Sequence, residues 1–327
     1  MATQSYSDAS RAAVAEEMRR DPNVWALGED LGRGGVFGQY KGLAEEFGES
    51  RICSTPISEA CIMGASVGAA MVGTRPIVEM RFSDFALCAI DELVNQAAKA
   101  RYMFGGQTRV PMVIREPMGI WRSSAAQHSQ SLEAWYTHIP GLVVIAPSTP
   151  ADNKGLLKAA IRCDDPVVYL EHKNLWGIEG EVPSDPETLI PIGEAAVRRP
   201  GRDITIVSWS ATVSVCEQAA ETLAADGINA EVIDLRTLYP WDRATVFDSV
   251  RRTGRLLVAH EAVAVGGFGA EIAASVAEHL HPHLRSPVKR LGAPRVPIPY
   301  ARCLEDEIRV TPEMVAAAGI AMTAADA

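Results

Sequence analysis

Short apolar runs alternate along this chain with longer segments of helical periodicity, and this alternation restricts the fold more than any other feature. In the first half, the runs that predict strands span 24–27, 76–80, 111–114, 141–146 and 166–170. Helices are predicted between them, over 89–102 from apolar periodicity and from Thr149-Pro150 to about Arg162 from a strong start signal. Such alternation favours an α/β fold with largely parallel sheets covered by helices.

The alternation stops between about His172 and Asp203 and then resumes. This segment is rich in proline, which is typical of a connection between domains. The second series consists of predicted strands 204–208, 230–235 and 255–259, predicted helices 211–225 and 242–251, and a helix to about Leu280 that follows Gly266-Gly267-Phe268-Gly269. A glycine loop of that kind can bind an anion through its amides, but a plain turn is the favoured interpretation. The sequence predicts two domains, 1–185 and 186–327.

Composition excludes several classes of protein. The chain has 31 Lys and Arg against 41 Asp and Glu, a net charge of −10, which argues against nucleic-acid binding as its main function. Its six cysteines are scattered without a CxxC pair, which favours reduced thiols over disulfides or a zinc site. No apolar stretch reaches the length of a membrane span and no signal-peptide pattern opens the sequence, so we expect a soluble cytoplasmic protein with no membrane partner.

A carboxylate precedes an unusually small-residue segment between Ile52 and Gly73. Ser58 is predicted to cap a helix through its hydroxyl, and Glu59 then falls in the first turn. Two interpretations are equally supported by this local pattern. Glu59 either complements the helix dipole, or it lies in a poorly solvated site between closely packed backbones, where a raised pKa suits proton transfer.

Other candidate acid–base groups follow predicted strands or loops. Glu29 and Asp30 come after the strand at 24–27, at the end where parallel sheets bind ligands, although an ordinary polar turn is an equal alternative. His128 precedes a predicted helix start, which would favour a neutral imidazole, although a structural histidine is equally compatible. No GxSxG motif supports a hydrolase. His279, His281 and His283 flank Pro282 and are expected to be exposed rather than metal-bound.

Along nearly its whole length the chain resembles the beta subunit of the thiamine-diphosphate-dependent, decarboxylating first component of 2-oxo acid dehydrogenase complexes. The motifs that carry the resemblance are Leu27-Gly28-Glu29-Asp30, Thr55-Pro56-Ile57-Ser58-Glu59, Gly64-Ala65-Ser66-Val67-Gly68, Gln127-His128-Ser129-Gln130-Ser131, His138-Ile139-Pro140-Gly141-Leu142 and Pro147-Ser148-Thr149-Pro150. The last of these, with Glu171-His172-Lys173 and Gly180-Glu181-Val182-Pro183, leans toward the acetoin and bacterial pyruvate branches. The resemblance implies a pyrimidine-binding thiamine-diphosphate domain in 1–185 and a transketolase C-terminal-like domain in 186–327.

The resemblance also implies roles for individual residues. Glu59 would hydrogen-bond a ring nitrogen of the cofactor's aminopyrimidine and favour the imino tautomer that takes the thiazolium proton. His128 would act near the acyl intermediate and its transfer to a lipoyl arm. Further implied cofactor contacts are Phe85, which packs on the pyrimidine, Met80 and Glu29. An acidic relay between two active sites would include Glu29 and Asp91.

This chain lacks the Gly-Asp-Gly motif with a downstream Asn that holds diphosphate and Mg²⁺ in such enzymes. The resemblance therefore implies an alpha subunit that supplies those groups in an α₂β₂ heterotetramer, a small keto donor, and a lipoyl-bearing acyltransferase or carrier protein. A structural potassium ion is also implied, although Cys163 and Asp165 depart from the usual residues. Its ligands would be the backbone oxygens of Met112, Ala160, Ile161, Cys163 and Asp165.

Three bulky or cationic residues depart from the family pattern. Trp121 and Arg122 stand in a loop that is usually rich in glycine and alanine, and Arg81 stands where apolar residues are common. They either face an interface or solvent, or they recognise an altered donor, such as a phosphorylated ketose from which a two-carbon ketol unit is transferred. Two non-enzymatic alternatives are a scaffold subunit without catalysis and a module that assembles on an acyltransferase core. Retention of Glu59 and His128 argues against the scaffold.

Overall fold

The computed structural model describes residues 1–35 and 37–324, which form two compact units. The first unit comprises Met1–Met118 and Trp135–Ile192. The second comprises Gly119–Ala134 and the chain from Gly193 onward. The short segment Gly119–Ala134, which carries Trp121, Arg122 and His128, therefore belongs to the second unit although it lies within the first half of the sequence.

The first unit is built on a parallel sheet. Its strands are β2 (Val24–Glu29), β3 (Ile52–Thr55), β4 (Arg75–Glu79), β5 (Val113–Met118), β6 (Val143–Ile145) and β7 (Val167–His172). Two further strands, β1 (Ala2–Ser5) and β8 (Glu179–Val182), form a separate antiparallel pair. The parallel strands run in the order β6-β7-β5-β4-β2-β3. Because these strands are parallel, Glu29 and Glu79, the last residues of the neighbouring strands β2 and β4, lie at the same carboxyl end of the sheet.

Helices cover the sheet of the first unit. They are α1 (Tyr6–Arg20), α2 (Leu43–Phe47), α3 (Glu59–Met71), α4 (Ser83–Ala86), α5 (Ala98–Met103), α6 (Glu133–Thr137), which begins in the second unit's segment, and α7 (Pro150–Arg162). The predicted start of α7 is confirmed, since the Thr149 hydroxyl accepts a hydrogen bond from the Asp152 amide at 3.1 Å. Side chains of α1 and α7 share a core with those of β2 and β7.

One local prediction for this unit is wrong and another is confirmed only in outline. Ser58 occupies the N-cap position of α3, but its side chain makes no capping hydrogen bond. The helix predicted over 89–102 is present within a continuous helical segment, but its turns change from 3₁₀ at Leu87–Ala89 to a π-helix at Glu92–Ala97 and then to α5. Regular apolar spacing therefore located the helical segment but not its widened turn.

The second unit is also α/β. Its elements are β9 (Ala196–Arg199), β10 (Ile204–Ser208), α8 (Thr212–Ala225), β11 (Ala230–Asp234), β12 (Thr237–Tyr239), α9 (Arg243–Thr253), β13 (Leu256–Val263), α10 (Gly269–Leu280), β14 (Lys289–Ala293), α11 (Arg302–Ile308) and α12 (Pro312–Thr323). A five-stranded sheet has the order β14-β13-β10-β11-β9, parallel except for β9. The predicted fold class, two α/β domains with largely parallel sheets, is confirmed. The predicted boundary between residues 185 and 186 stays a prediction.

Within the described residues, no helix has both the length and the apolar character that a membrane span requires.

Candidate functional site

Glu59 is the first residue of α3 and follows directly on the turn after β3. Its side chain is half-buried rather than enclosed, so the poorly solvated environment expected from the sequence is not formed by this chain alone. One face of α3 packs inward through Met63 and Val67, whereas the small residues Ala65 and Gly68 are exposed. The open small-residue face leaves room for another backbone beside the head of the helix.

Glu29, which is buried, and Arg81, which is half-buried, form an ion pair near this helix. Arg81 Nε lies 3.0 Å from Glu29 Oε2, and its Nη2 donates to Asp30 Oδ2 at 2.6 Å. Burial raises the pKa of Glu29, Arg81 lowers it, and the nearby Glu59 carboxylate raises it again. Glu59 is thus close enough to Glu29 to influence the charge of Glu29. Arg81 pairs with two carboxylates, and its contact with substrate stays a prediction.

Aromatic residues follow β4. Phe85 packs edge-to-face on Phe82, with ring centroids 5.3 Å apart, and the Lys173 ammonium lies 4.6 Å from the Phe82 centroid. Met80 is buried, and its amide donates to the Arg115 carbonyl at 3.0 Å. Phe85 is half-buried and so presents apolar surface suited to packing on a flat ring.

A buried polar network lies beneath these residues, and the sequence reasoning missed it. Glu79, the last residue of β4, accepts hydrogen bonds from Gln39 Nε2 and Tyr40 Oη, each at 3.0 Å. Arg115 lies 3.5 Å from Glu79 and 2.6 Å from Glu171. The network fixes the glycine-rich loop after β2 to the centre of the sheet. Its signal in the sequence was a charged residue, Glu79, inside the otherwise apolar run 76–80.

The charge state of Glu79 should make stability depend on pH. Burial raises its pKa to about 7 from 4.5, although Arg115 opposes the shift. Between these values the folded chain holds a proton that the unfolded chain has lost, so the free energy of unfolding falls as pH rises through this window, by about 3 kcal/mol. We expect Glu79→Gln to remove this loss in urea unfolding measured between pH 5 and pH 8. The exposed Glu45→Gln is the matched control, and an unchanged slope in Glu79→Gln would contradict the assignment.

Asp91 does not join the buried acids. It is exposed just before the π-helix and accepts hydrogen bonds from Asn95 at 2.7 Å and Gln96 at 3.4 Å, both on the same helical segment. The relay that would connect Asp91 with Glu29 stays a prediction.

The backbone oxygens implied for potassium lie around the end of α7, and most are already engaged. Arg75 Nη1 donates to the carbonyls of Ile161 at 3.1 Å and Cys163 at 2.9 Å. The carbonyls of Met112 and Ala160 accept backbone hydrogen bonds. The guanidinium of Arg75 thus supplies positive charge where the ion was expected, which disfavours a second cation. Among the described residues, no group of His, Cys, Asp and Glu side chains is arranged to hold a metal ion.

The segment Gly119–Ala134, which carries His128, forms hydrogen bonds with other parts of the second unit. Glu261 accepts hydrogen bonds from the Ile120 amide at 2.8 Å and the Ser131 hydroxyl at 3.2 Å. Glu305 accepts one from the Ser123 amide at 3.1 Å. Arg309 donates to the Ile120 carbonyl at 3.4 Å. These long-range anchors had no local signal in the sequence.

His128 is half-buried on this segment and lies in a bend. The next helix, α6, begins only at Glu133, so the helix N-terminus expected beside His128 is not there. Glu133 instead accepts a hydrogen bond from the indole of Trp209 at 3.1 Å. His128 is therefore positioned by an anchored loop and not by a helix.

The glycine loop before α10 has a packing role. A Cβ on Gly269 would lie 2.7 Å from Nε2 of the fully buried His260, and one on Gly267 would lie 2.8 Å from its Cε1. Burial lowers the pKa of His260 to about 4, so its ring is neutral at physiological pH. The glycines make room for this ring, in agreement with the plain-turn interpretation. The histidines around Pro282 are exposed, as expected.

Comparison with known families accounts for both units. Residues 2–178 match the pyrimidine-binding domain of transketolase, and residues 193–315 match the transketolase C-terminal domain. A solved split-gene transketolase, described as an inactive beta4 tetramer, superposes with a TM-score of 0.80 over 98% of this chain and 99% of its own, at 24% identity. The two units thus define a transketolase-type protein.

Individual relatives identify the family within this class of proteins. The 2-oxoisovalerate dehydrogenase subunit beta of Bacillus subtilis is 46% identical over 97% of this chain and 98% of its own length. The acetoin:2,6-dichlorophenolindophenol oxidoreductase subunit beta of Cupriavidus necator is 46% identical over 94% and 93%, and the mitochondrial pyruvate dehydrogenase E1 subunit beta of Dictyostelium discoideum is 46% identical over 93% and 86%. The chain belongs to this family, the beta subunits of thiamine-diphosphate-dependent dehydrogenases, which confirms the resemblance seen in the sequence.

Proposed function

We propose that this chain activates thiamine diphosphate in a pyruvate, acetoin or branched 2-oxo acid dehydrogenase and that the acyl unit passes to a lipoyl carrier. The observation that supports this most strongly is the placement of Glu59 at the head of α3, beside the buried Glu29 and its raised pKa. When bound, the cofactor supplies the electron sink for cleavage of the donor. The chain's own residues bind and orient its pyrimidine ring.

Each of these residues has chemistry that fits an aminopyrimidine. The Glu59 carboxyl can hydrogen-bond a ring nitrogen, and Phe85 offers an aromatic edge and face for packing. Glu29 keeps a proton more readily than an exposed acid, because burial disfavours its charged form. The nearby Glu59 carboxylate raises the pKa of Glu29 further.

An alpha partner completes the site in this proposal. The sequence lacks the Gly-Asp-Gly and Asn residues that would hold diphosphate and Mg²⁺, and its net charge of −10 disfavours a diphosphate anion. We place this chain in an α₂β₂ heterotetramer whose alpha subunit supplies those groups. The exposed small-residue face of α3 offers a surface that a partner backbone can approach closely. Potassium stays a prediction, which the hydrogen bonds from Arg75 to two of the implied carbonyl ligands make weaker.

His128 is proposed to serve acyl transfer rather than donor cleavage. We expect His128→Ala to slow transfer to a lipoylated acceptor by about 100-fold, the range of a lost acid–base group, while donor-dependent dye reduction falls by less than about 5-fold. The measurement compares both rates in the complex with the alpha partner. The exposed His281→Ala is the matched control. Equal losses in the two assays would contradict a role confined to transfer.

The donor is identified by a panel assay of that complex. Pyruvate, acetoin, branched 2-oxo acids and ketose phosphates are each supplied with a lipoylated acceptor and with a dye. Conversion of one or more of the first three classes supports the dehydrogenase proposal. Failure of all of them, in a complex that binds thiamine diphosphate, would overturn it.

A further inference from the structure

Arg122 lies in the segment Gly119–Ala134, and its side chain contacts the ring of the neighbouring Trp121. Its guanidinium lies 5.2 Å from the centroid of the Trp121 ring, and its side chain is exposed. No hydrogen bond or ion pair joins Arg122 to another residue in the part of the chain that the structure describes. This contrasts with Arg81 and Arg115, whose charges are neutralised by carboxylates.

The N–H groups of Arg122 are available to a ligand. An indole face attracts a cation, and the Arg122 guanidinium lies over the Trp121 ring. Its N–H donors lie in the plane of the group, and no described residue accepts a hydrogen bond from them. An arginine beside an aromatic ring in this way can still donate two parallel hydrogen bonds to a carboxylate or phosphate.

The backbone around Arg122 is strained. Arg122, Ser123 and Ala125 have φ values of 45°, 58° and 60°, in the left-handed region that side chains other than glycine seldom adopt. Such residues persist only where their surroundings enforce the conformation, and they concentrate at functional sites. Here the enforcement comes from Glu305, which accepts the Ser123 amide, and from Glu261, which accepts the Ile120 amide.

The carboxylates that hold this loop, Glu261 and Glu305, are paired with Arg309. Arg309 lies 3.5 Å from Glu305 and 3.9 Å from Glu261. These carboxylates hold the loop through its amides while Arg309 offsets their charge, so they do not cancel the charge of Arg122. The same loop carries His128. A fully extended chain between the two residues would span about 20 Å, so His128 lies no farther than that from Arg122.

We propose that Arg122, which lies over the Trp121 ring, binds a second anionic group at the far end of the donor, either a phosphate or a distal carboxylate. This inference rests on the proposed function, because it places the donor beside the loop that carries His128. The group recognised is not the carboxylate that a decarboxylation removes. Arg122 acts as a specificity-determining residue, and Glu261 and Glu305 are positioning residues for it.

The test uses donors that differ only in this group, assayed with the complex of this chain and its alpha partner. 2-Oxoglutarate is compared with 2-oxovalerate, and xylulose 5-phosphate with xylulose. In Arg122→Ala we expect kcat/KM to fall about 30-fold for the member of the converted pair that carries the second anionic group, and less than about 3-fold for the member that lacks it. Arg122→Lys should recover only part of the loss, because a lysine cannot form the bidentate contact. The exposed Arg295→Ala is the control.

The pair that responds identifies the source of the anion. Equal losses for donors with and without the second anionic group would overturn the proposal, since they would indicate a role in folding or assembly. If no donor is cleaved, the proposed function fails separately from this proposal. Calorimetric titration of the same complex with inorganic phosphate and with glutarate then tests whether Arg122 binds an anion. Binding that is lost in Arg122→Ala supports the anion site, and binding that is equal in both proteins, or absent from the wild type, overturns it.

Discussion

Replacing Glu59 by Gln is expected to lower kcat of the assembled enzyme by about 1000-fold, with a much smaller change in the free energy of unfolding. Glutamine keeps the shape of the side chain but cannot exchange a proton with a pyrimidine nitrogen, and a positioned acid–base group contributes roughly 100- to 10,000-fold. Steady-state assays with the best donor of the panel measure the loss. A fully active Glu59→Gln enzyme would remove the mechanism proposed for this site.

The matched control for Glu59 is Glu271, which lies in the first turn of α10. Both carboxylates complement a helix dipole, an interaction worth about 0.3–1 kcal/mol at exposed positions. Glu271→Gln should therefore lower stability by a similar amount and leave kcat unchanged. If the two variants lose activity equally, Glu59 has no role beyond its helix. The comparison separates the two interpretations that the local sequence left open.

Features with local causes were predictable from the sequence. The start of α7 depends on Thr149 and Pro150, which are adjacent to the helix that they begin. The parallel strands β5, β7 and β10 are recognisable because burial on both faces favours the apolar residues with which they begin. The family motifs added the roles proposed for Glu59 and His128, which no periodicity reveals.

Features with long-range causes were not predictable. Ser58 has the residue type of a cap, yet its φ and ψ of −170° and 63° are not those of a usual cap and its hydroxyl makes no capping hydrogen bond. The fastening of the His128 loop by Glu261 and Glu305 joins positions far apart in sequence. The contact of Tyr40 with Glu79 is of the same kind. A single sequence contains no signal that pairs such residues, because each of them also has an ordinary surface interpretation.

The isolated chain is expected to bind thiamine diphosphate and Mg²⁺ with a Kd weaker than about 100 μM, whereas the complex with the alpha partner binds them in the low micromolar range. The diphosphate carries most of the ligand's charge, and this acidic chain lacks the motif that would hold it. Glu59 and Phe85 contact only the pyrimidine in the proposed arrangement. Calorimetric titration measures both constants. The thermal midpoint should rise only in the complex, because a ligand stabilises only a folded state that binds it.

The same titration shows how the site is divided between the subunits. In the complex, Glu59→Gln should change the Kd of the cofactor by less than about 10-fold, since one hydrogen bond to the pyrimidine contributes only about 0.5–1.5 kcal/mol. That variant would then retain the cofactor while losing catalysis. Tight binding by the isolated chain would refute the division of the site, and loss of cofactor from the Glu59→Gln complex would mean that this chain holds the cofactor as well as activating it.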